Sequence, residues 1–215
     1  MAKRSSLDDK LAAIRGLRSR EPGPALTAEL QKALADRSNF VVAAAAAVAG
    51  DRGIVELAGD LESGFTRYLE DPVKTDKLCR AKLAIVHALD KLEHRRSDVF
   101  LQAARHVQLE PVYGGSEDTA APLRAAALRA LARLDEPGVR LVLADALIDR
   151  EKDVRVAAAE RLAYEGSEAA ALLLQLQGPD RRSRIRGAFR VPRGAAGLRT
   201  SGEPRLRPII SGLPA

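Results

Sequence analysis

The chain has 215 residues, of which 35 are lysine or arginine and 29 are aspartate or glutamate, giving a formal net charge of +6. Aromatic residues make up 3% and apolar residues 46%, so the core has to be built from alanine, leucine and valine, which favours closely packed helices. The single cysteine excludes an internal disulfide framework, and the start of the chain lacks the apolar run of a secretion signal. We therefore expect a helical protein in the cytoplasm.

Several amphipathic segments carry helix start signals in chain order. The first begins at Ser6, which forms a capping box with Asp9, and residues 1–20 are predicted to be an N-terminal capping helix. Pro24 opens the second, because a proline in the first helical turn loses no hydrogen bond. Later segments of this kind begin near Ile54, Ser97, Pro137 and Ser167.

Between these segments lie four others that share one pattern, an anchor followed by apolar or small residues three, seven and ten positions later. The anchors are Val41, Lys82, Arg124 and Arg155. These offsets lie on one helical stripe, so each segment buries that stripe. The anchors are 41, 42 and 31 residues apart, enough for two helices and two turns, and neither helix of a pair hides its stripe alone. We expect the pairs to stack as a right-handed α-solenoid over residues 21–177.

Two anchored segments resemble a known family. Residues 153–162, Asp-Val-Arg-Val-Ala-Ala-Ala-Glu-Arg-Leu, and residues 123–131, Leu-Arg-Ala-Ala-Ala-Leu-Arg-Ala-Leu, are similar to HEAT repeats, including the bacterial phycobilisome-lyase-like variety. The resemblance implies an all-α solenoid of about four to five stacked antiparallel helix pairs. In HEAT repeats the arginine of the inner helix commonly meets an acidic turn residue of a neighbouring repeat. The resemblance thus gives Arg124 and Arg155 a structural role, whereas the first two anchors depart from the pattern.

The side of the inner helices opposite the buried stripe is a candidate binding surface. A solenoid presents this side along its concave face, which is the usual docking surface. The candidate protein-binding residues on it are Arg80, His87, Lys91, Arg129, Arg133, Glu160 and Tyr164. The middle of this row is basic, which predicts a partner with an acidic patch. The alternative is an ordinary solvated helix face.

Residues 107–119 interrupt the helical pattern. Pro111 and two adjacent glycines forbid a helix there, and β-branched alternation is nowhere sustained, so we expect a long loop rather than strands. Loops of this length often carry function. The candidate binding residues in it are Tyr113, Gly114, Gly115 and Asp118. Two roles remain open for Tyr113, an exposed anchor for a ligand or a ring that pins the loop to the core.

The sequence contains no catalytic motif and predicts no metal site and no cofactor. His87 and His94 are seven residues apart on one helix, about 10 Å by helix rise, which is too far to share a zinc ion. HEAT-like deoxyhypusine hydroxylases use repeated His-Glu pairs, and this chain has only a reversed Glu93-His94 pair. Cys79 lies near a predicted helix start without a histidine partner, which favours a buried, inert thiol.

Residues 178–215 differ in composition from the rest of the chain. They hold nine arginines against two acidic residues, a net charge of +7, which leaves −1 for residues 1–177. Their glycines and prolines predict disorder, either in a basic arm for an anionic surface or in the product of an out-of-frame reading. The predicted helix over residues 167–177 would end the array without a polar cap, which predicts self-association.

The sequence is compatible with three functions. The first is a protein–protein interaction scaffold or adaptor that uses the concave face. The second, implied by the phycobilisome-lyase-like resemblance, is a lyase-type or chaperone-like accessory factor for a cofactor-carrying protein. The third is a nucleic-acid-binding protein similar to the HEAT-like alkylpurine DNA glycosylases. The charge of −1 on the body and the absence of tryptophan argue against the third, which leaves the basic tail as the segment that could contact nucleic acid.

Overall fold

The computed structural model describes residues 6–134 and 138–165, and these ranges are mostly helical. The α-helices are α1 Leu7–Leu17, α2 Pro24–Leu34, α3 Asn39–Asp51, α4 Ala58–Arg67, α5 Pro72–Thr75, α6 Arg80–Lys91, α7 Asp98–Arg105, α8 Ala121–Leu131, α9 Val139–Ala146 and α10 Lys152–Glu165. Short 3-10 turns cover Val55–Leu57 and Lys77–Cys79. The all-α class is therefore confirmed for the described ranges, apart from one β-hairpin.

Local signals place the first helices where the sequence predicts them. The Asp9 amide donates to the Ser6 hydroxyl at 3.1 Å, and the Ser6 amide donates to the Asp9 carboxylate at 3.0 Å. These two bonds make up the predicted capping box and satisfy amides that have no partner within the helix. Pro24 is the first residue of α2, as predicted. Both helix starts are confirmed.

The helices are arranged in two rows. In the inner row, α1, α3, α6, α8 and α10 each pack against the next, and in the outer row α2, α4, α7 and α9 each pack mainly on one inner helix. All four anchor residues lie in the inner row, on α3, α6, α8 and α10. One buried cluster of mostly alanine, leucine and valine runs through both rows, with Phe65 and Phe100 as its fully buried rings.

The most extensive contact in the inner row joins α3 and α6. The buried side of α3 is lined with alanines, including Ala45, Ala46 and Ala49, none of which is exposed. Near the end of α3, a Cβ atom added at Gly50 would lie 2.8 Å from the Ala88 Cα atom. Only glycine fits there, because backbone atoms cannot retreat as a flexible side chain can.

Residues 107–119 form a hairpin rather than the expected loop. Strand β1, Leu109–Val112, pairs antiparallel with β2, Gly115–Asp118, through a tight turn in which Gly114 has φ +86°. The Thr119 amide donates to the Gln108 carbonyl at 2.9 Å. Residue pairs along an antiparallel ladder alternate between hydrogen-bonded and non-hydrogen-bonded positions. Pro111, which has no amide hydrogen, therefore lies at a position where no hydrogen bond is needed. The sequence correctly excluded a helix here, but the expectation that the chain forms no strands was wrong.

Several predictions from the sequence fall on residues outside the described ranges. These are the helix over residues 167–177 with its Ser167 cap, the self-association through its uncapped end, and the disordered tail over residues 178–215. Within the described ranges, no helix combines the length and the apolar character needed to cross a membrane.

The contact between α3 and α6 yields a paired prediction. We expect Gly50→Ala to lower the free energy of unfolding by about 1–3 kcal/mol, because the new methyl group forces two helix backbones apart. Gly59 in α4 has no atom within 4 Å of an added Cβ, so Gly59→Ala should be neutral or stabilising. Urea unfolding followed by circular dichroism measures both, and equal effects of the two substitutions would contradict the packing argument.

Candidate functional site

The exposed side of the inner row, which we call the inner-row surface, carries the predicted concave-face residues. All seven side chains are exposed. Three of them lie on α6, Arg129 lies on α8, Arg133 follows the end of α8, and Glu160 and Tyr164 lie on α10. The spacing of these residues from each anchor therefore identified the solvent-facing side of the inner helices correctly.

Contacts between neighbouring inner helices reduce the positive charge of this surface. The Lys91 ammonium lies 2.6 Å from the Asp51 carboxylate, and Arg133 pairs with Asp90. The sequence predicts a basic middle of this row, and the two acidic partners were not expected. Each carboxylate lies near the C-terminal end of the inner helix that precedes its cation.

Aromatic rings hold two other arginines on the inner-row surface. The Arg80 guanidinium lies 4.5 Å from the centre of the Phe40 ring, and the Arg161 guanidinium lies 5.1 Å from the centre of the Tyr164 ring. Arg161 was not among the predicted site residues, although it breaks the pattern of small residues in its segment. Neither these two arginines nor Arg129 forms an ion pair within the described ranges.

His87 lies beside these cations. Partial burial of its imidazole lowers the pKa, Lys91 and Arg129 lower it further, and Asp90 opposes them. The pKa therefore lies below the ordinary value of 6.5, and His87 is neutral at pH 7. Its contribution to the inner-row surface at neutral pH is a hydrogen-bonding ring without charge.

The base of the hairpin covers a cluster of buried polar side chains, which we call the polar cluster: Asp76, Lys82, Gln108 and Glu110. The Lys82 ammonium lies 3.3 Å from the Asp76 carboxylate, and both side chains are 0% exposed. The same ammonium donates to the Gln108 side-chain oxygen at 3.0 Å and to the Tyr68 carbonyl at 3.2 Å. Three acceptors thus surround the ammonium, which is the condition for burying a charge without a large penalty.

Asp76 and Glu110 fix the start of α6 within this cluster. The Asp76 carboxylate accepts the backbone amides of Ala81 at 2.8 Å and Lys82 at 3.0 Å, at the positive end of the helix dipole. Glu110 accepts the Leu78 amide at 2.6 Å. Burial alone would raise the pKa of Glu110, but its hydrogen bonds outweigh burial and lower it. Glu110 is therefore an anion at neutral pH.

The backbone just before α6 adopts a rare conformation. Leu78 has φ 61° and Cys79 has φ 50°, so two successive non-glycine residues lie in the left-handed region. Such residues are strained and persist where surrounding contacts fix them. Here the Glu110 carboxylate holds the Leu78 amide, and the Cys79 thiol donates to the Gln108 side-chain oxygen at 3.2 Å.

Two of the anchor residues, Lys82 and Arg124, are buried cations. Arg124 bonds Asp149 in the turn before α10 at 2.9 Å and Asp118 at the base of the hairpin at 2.7 Å, so its predicted contact with an acidic turn residue is confirmed. Lys82, which departs from the family pattern, pairs with Asp76 in the turn before its own helix. Arg155 donates to the carbonyls of Asp149 at 2.8 Å and Arg150 at 2.7 Å, where the family pattern implied an acidic side chain.

The hairpin exposes several apolar side chains. Tyr113 at the tip is 108% exposed, Val107 and Leu109 are each 58% exposed, and Val112 is 47% exposed. The alternative in which the Tyr113 ring pins the loop to the core is therefore wrong. Asp118, the fourth predicted loop residue, forms an ion pair with Arg124. It therefore holds the base of the hairpin and does not present a free carboxylate to solvent.

Cys79 matches the expected buried thiol. Its side chain is 1% exposed, and burial raises the pKa of the thiol to about 11, while the nearby Lys82 ammonium acts in the opposite direction. A protonated thiol is a poor nucleophile. Among the described residues, no group of three or more His, Cys, Asp or Glu side chains is placed to hold a metal ion.

Comparison of the chain with protein-family models, curated proteins and solved structures found no match. The resemblance to HEAT repeats accordingly remains a prediction from the repeated segments. The geometry defines two surfaces that could contact a ligand, the inner-row surface with its arginines and the hairpin with its exposed apolar side chains. The polar cluster holds the hairpin in place.

The polar cluster yields a stability prediction. We expect Lys82→Met to lower the free energy of unfolding by about 3 kcal/mol, because it leaves the Asp76 carboxylate buried without its countercharge. Lys74→Met removes a lysine whose ion pair with Asp71 is solvent-exposed, and should leave stability unchanged. Urea unfolding of both variants tests this, and a stable Lys82→Met protein would show that the buried pair is dispensable.

Cys79 yields a prediction about alkaline pH. The pKa of the folded thiol, about 11, lies above the ordinary value of 9.0, so the folded state keeps a proton that the unfolded chain releases. The resulting stabilisation is complete below pH 9 and is lost as the pH rises to about 11. We expect the free energy of unfolding to fall more steeply over this interval in the unmodified protein than in Cys79→Ala. Parallel curves would contradict the raised pKa.

Proposed function

We propose that this chain is a protein–protein interaction scaffold, built as a HEAT-like α-solenoid, that binds its partner through the hairpin and the inner-row surface. The two rows of helices, with a buried cation at the second and third anchors, support the solenoid. Exposed side chains at all seven predicted positions support the inner-row surface as a contact face.

The observation that carries this proposal is the reversed polarity of the hairpin. The side chains of Gln108 and Glu110 are buried, while those of Val107, Leu109 and Tyr113 are exposed. Folding normally places such residues the other way round, since burying apolar surface is the main stabilising effect. An ordered segment that keeps its apolar side in solvent is typical of a surface that a partner covers.

The charge on the inner-row surface indicates the kind of partner. Lys91 and Arg133 are paired with carboxylates, although Lys91 shares Asp51 with Arg18. Arg80, Arg129 and Arg161 have no ion pair within the described ranges. Their long side chains favour a partner with scattered carboxylates that approach these guanidinium groups. A continuous polyanion such as DNA would also meet Asp51 and Asp90, which disfavours binding of nucleic acid to this surface.

The hairpin supplies the test of this function. We expect the double substitution Leu109→Ser with Tyr113→Ala to abolish capture of the partner, because it removes most of the exposed apolar side. The matched control is Val55→Ala with Leu141→Ser, which changes two exposed apolar residues elsewhere, 59% and 70% exposed. Affinity purification of tagged proteins with quantitative mass spectrometry compares the two.

Both double variants should unfold at nearly the same temperature as the unmodified protein, because none of the four side chains belongs to the core. A set of proteins captured by the control and lost by the hairpin variant supports the proposal. Identical capture by the hairpin variant and the control would remove the hairpin from the interface and overturn it.

A further inference from the structure

The hairpin has one strand edge whose backbone groups point away from the hairpin. The ladder pairs Leu109 with Asp118 and Pro111 with Ser116. The bond donated by the Thr119 amide sets the alternation of this ladder, in which these two pairs are not hydrogen-bonded. The amides and carbonyls of Ser116 and Asp118 therefore point away from β1.

This outer edge of β2 is accessible to another chain. Within the described ranges, β1 is the only element with which β2 makes an extended contact. Gly115, Ser116 and Glu117 are exposed, and Asp118 is partly buried. The amides of Ser116 and Asp118 have no backbone acceptor in any other described segment. An exposed strand with unpaired donors and acceptors is a template to which an extended peptide can add.

The opposite edge of the hairpin, formed by β1, is blocked. The outward positions of β1 are Leu109 and Pro111, and Pro111 has no amide hydrogen to donate. Proline on an edge strand prevents pairing with another chain. The hairpin therefore allows strand pairing on the β2 side and obstructs it on the β1 side.

The side chains of β2 indicate the charge of a peptide that would add to it. Glu117 is exposed and forms no ion pair within the described ranges, whereas Asp118 is paired with Arg124. Glu117 also lies opposite Glu110 in the ladder, so two carboxylates belong to one face of the hairpin. A residue directly opposite Glu117 on an added strand lies on the same face, where a lysine or arginine would form an ion pair with it.

Glu117 also disfavours a second copy of this chain as the occupant of the edge. If two β2 strands paired through Ser116 and Asp118 of both copies, the two Glu117 side chains would lie directly opposite each other. Like charges at opposed positions destabilise a sheet. The edge therefore favours a segment of a different protein that carries a cation.

We propose that the outer edge of β2 binds an extended segment of the partner protein by antiparallel strand addition, with a basic residue of that segment opposite Glu117. Main-chain hydrogen bonds to Ser116 and Asp118 hold the segment, and the ion pair with Glu117 selects its sequence. This inference rests on the proposed function, since it specifies how the hairpin contacts its partner.

A titration with a defined peptide tests this edge without knowledge of the partner. The probe is the peptide Thr-Val-Lys-Val-Thr with both ends blocked, and NMR follows the amide resonances of Ser116 and Asp118 in the full chain. We expect both resonances to shift when the peptide is added, because each amide gains an acceptor. Methylation of both valine nitrogens should weaken binding about tenfold, because it removes two main-chain donors.

Charge reversal at Glu117 tests the specificity of the edge. We expect Glu117→Lys to weaken binding of the lysine peptide about fivefold and to strengthen binding of the same peptide with a central glutamate by a similar factor. The matched control Glu21→Lys reverses another exposed carboxylate without an ion pair, between α1 and α2, and should leave both affinities unchanged. Unchanged amide resonances in the helices show that each variant is folded.

Strand addition is overturned if the resonances of Ser116 and Asp118 do not shift, if the methylated peptide binds equally well, or if Glu117→Lys and Glu21→Lys have equal effects. Dimers of the unmodified protein that pair through β2 would identify a second copy as the occupant and would also overturn it. The titration does not use the double variant of Leu109 and Tyr113. Strand addition can therefore fail while capture of the partner through the apolar side chains succeeds, and the reverse.

Discussion

The ammonium group of Lys82 and the carboxylate of Asp76 meet in the interior of the protein, and the position of the hairpin depends on that contact. A lysine removed from water needs nearly all of its donors satisfied, and the third acceptor is the side chain of Gln108 on the hairpin. The hairpin therefore completes the solvation of a charge that belongs to the helices. This dependence explains why polar residues of the hairpin face inward.

Arg124 repeats this arrangement one helix further along the inner row. It joins the hairpin through Asp118 to the turn before α10 through Asp149, so one guanidinium group connects three segments. The hairpin is thus held at its base by two buried cations from successive inner helices. With its base fixed by these contacts, the hairpin keeps Leu109 and Tyr113 exposed to solvent.

The helices and their solvent-facing side were predictable from the sequence because both follow from local periodicity. Ser6 and Pro24 mark helix starts by their own chemistry, and the spacing from each anchor to residues such as His87 fixes a face of the helix. The sequence identifies Lys82 as an anchor but not its ion pair, because its partner Asp76 lies in a turn whose position depends on contacts distant in the sequence.

The hairpin and the ion pairs could not be predicted for the same physical reason. Strand signals assume that apolar residues point inward, and in β1 the alternation is reversed, with Glu110 inside and Leu109 outside. The pairing of Lys91 with Asp51 depends on how α3 and α6 align, and Gly50 lies at the contact between these two helices. Neither property is encoded within a single segment.

The left-handed backbone at Leu78 and Cys79 has a consequence for how the protein folds. Arrays of helix pairs usually gain stability one neighbour at a time, so that an end can fray while the middle stays ordered. Here the strained entry to α6 is held by Glu110, 32 residues later in the chain, so loss of the hairpin would release the strained residues and destabilise the start of α6. We therefore expect amide hydrogens of α6 and of the hairpin to exchange with solvent through a common opening.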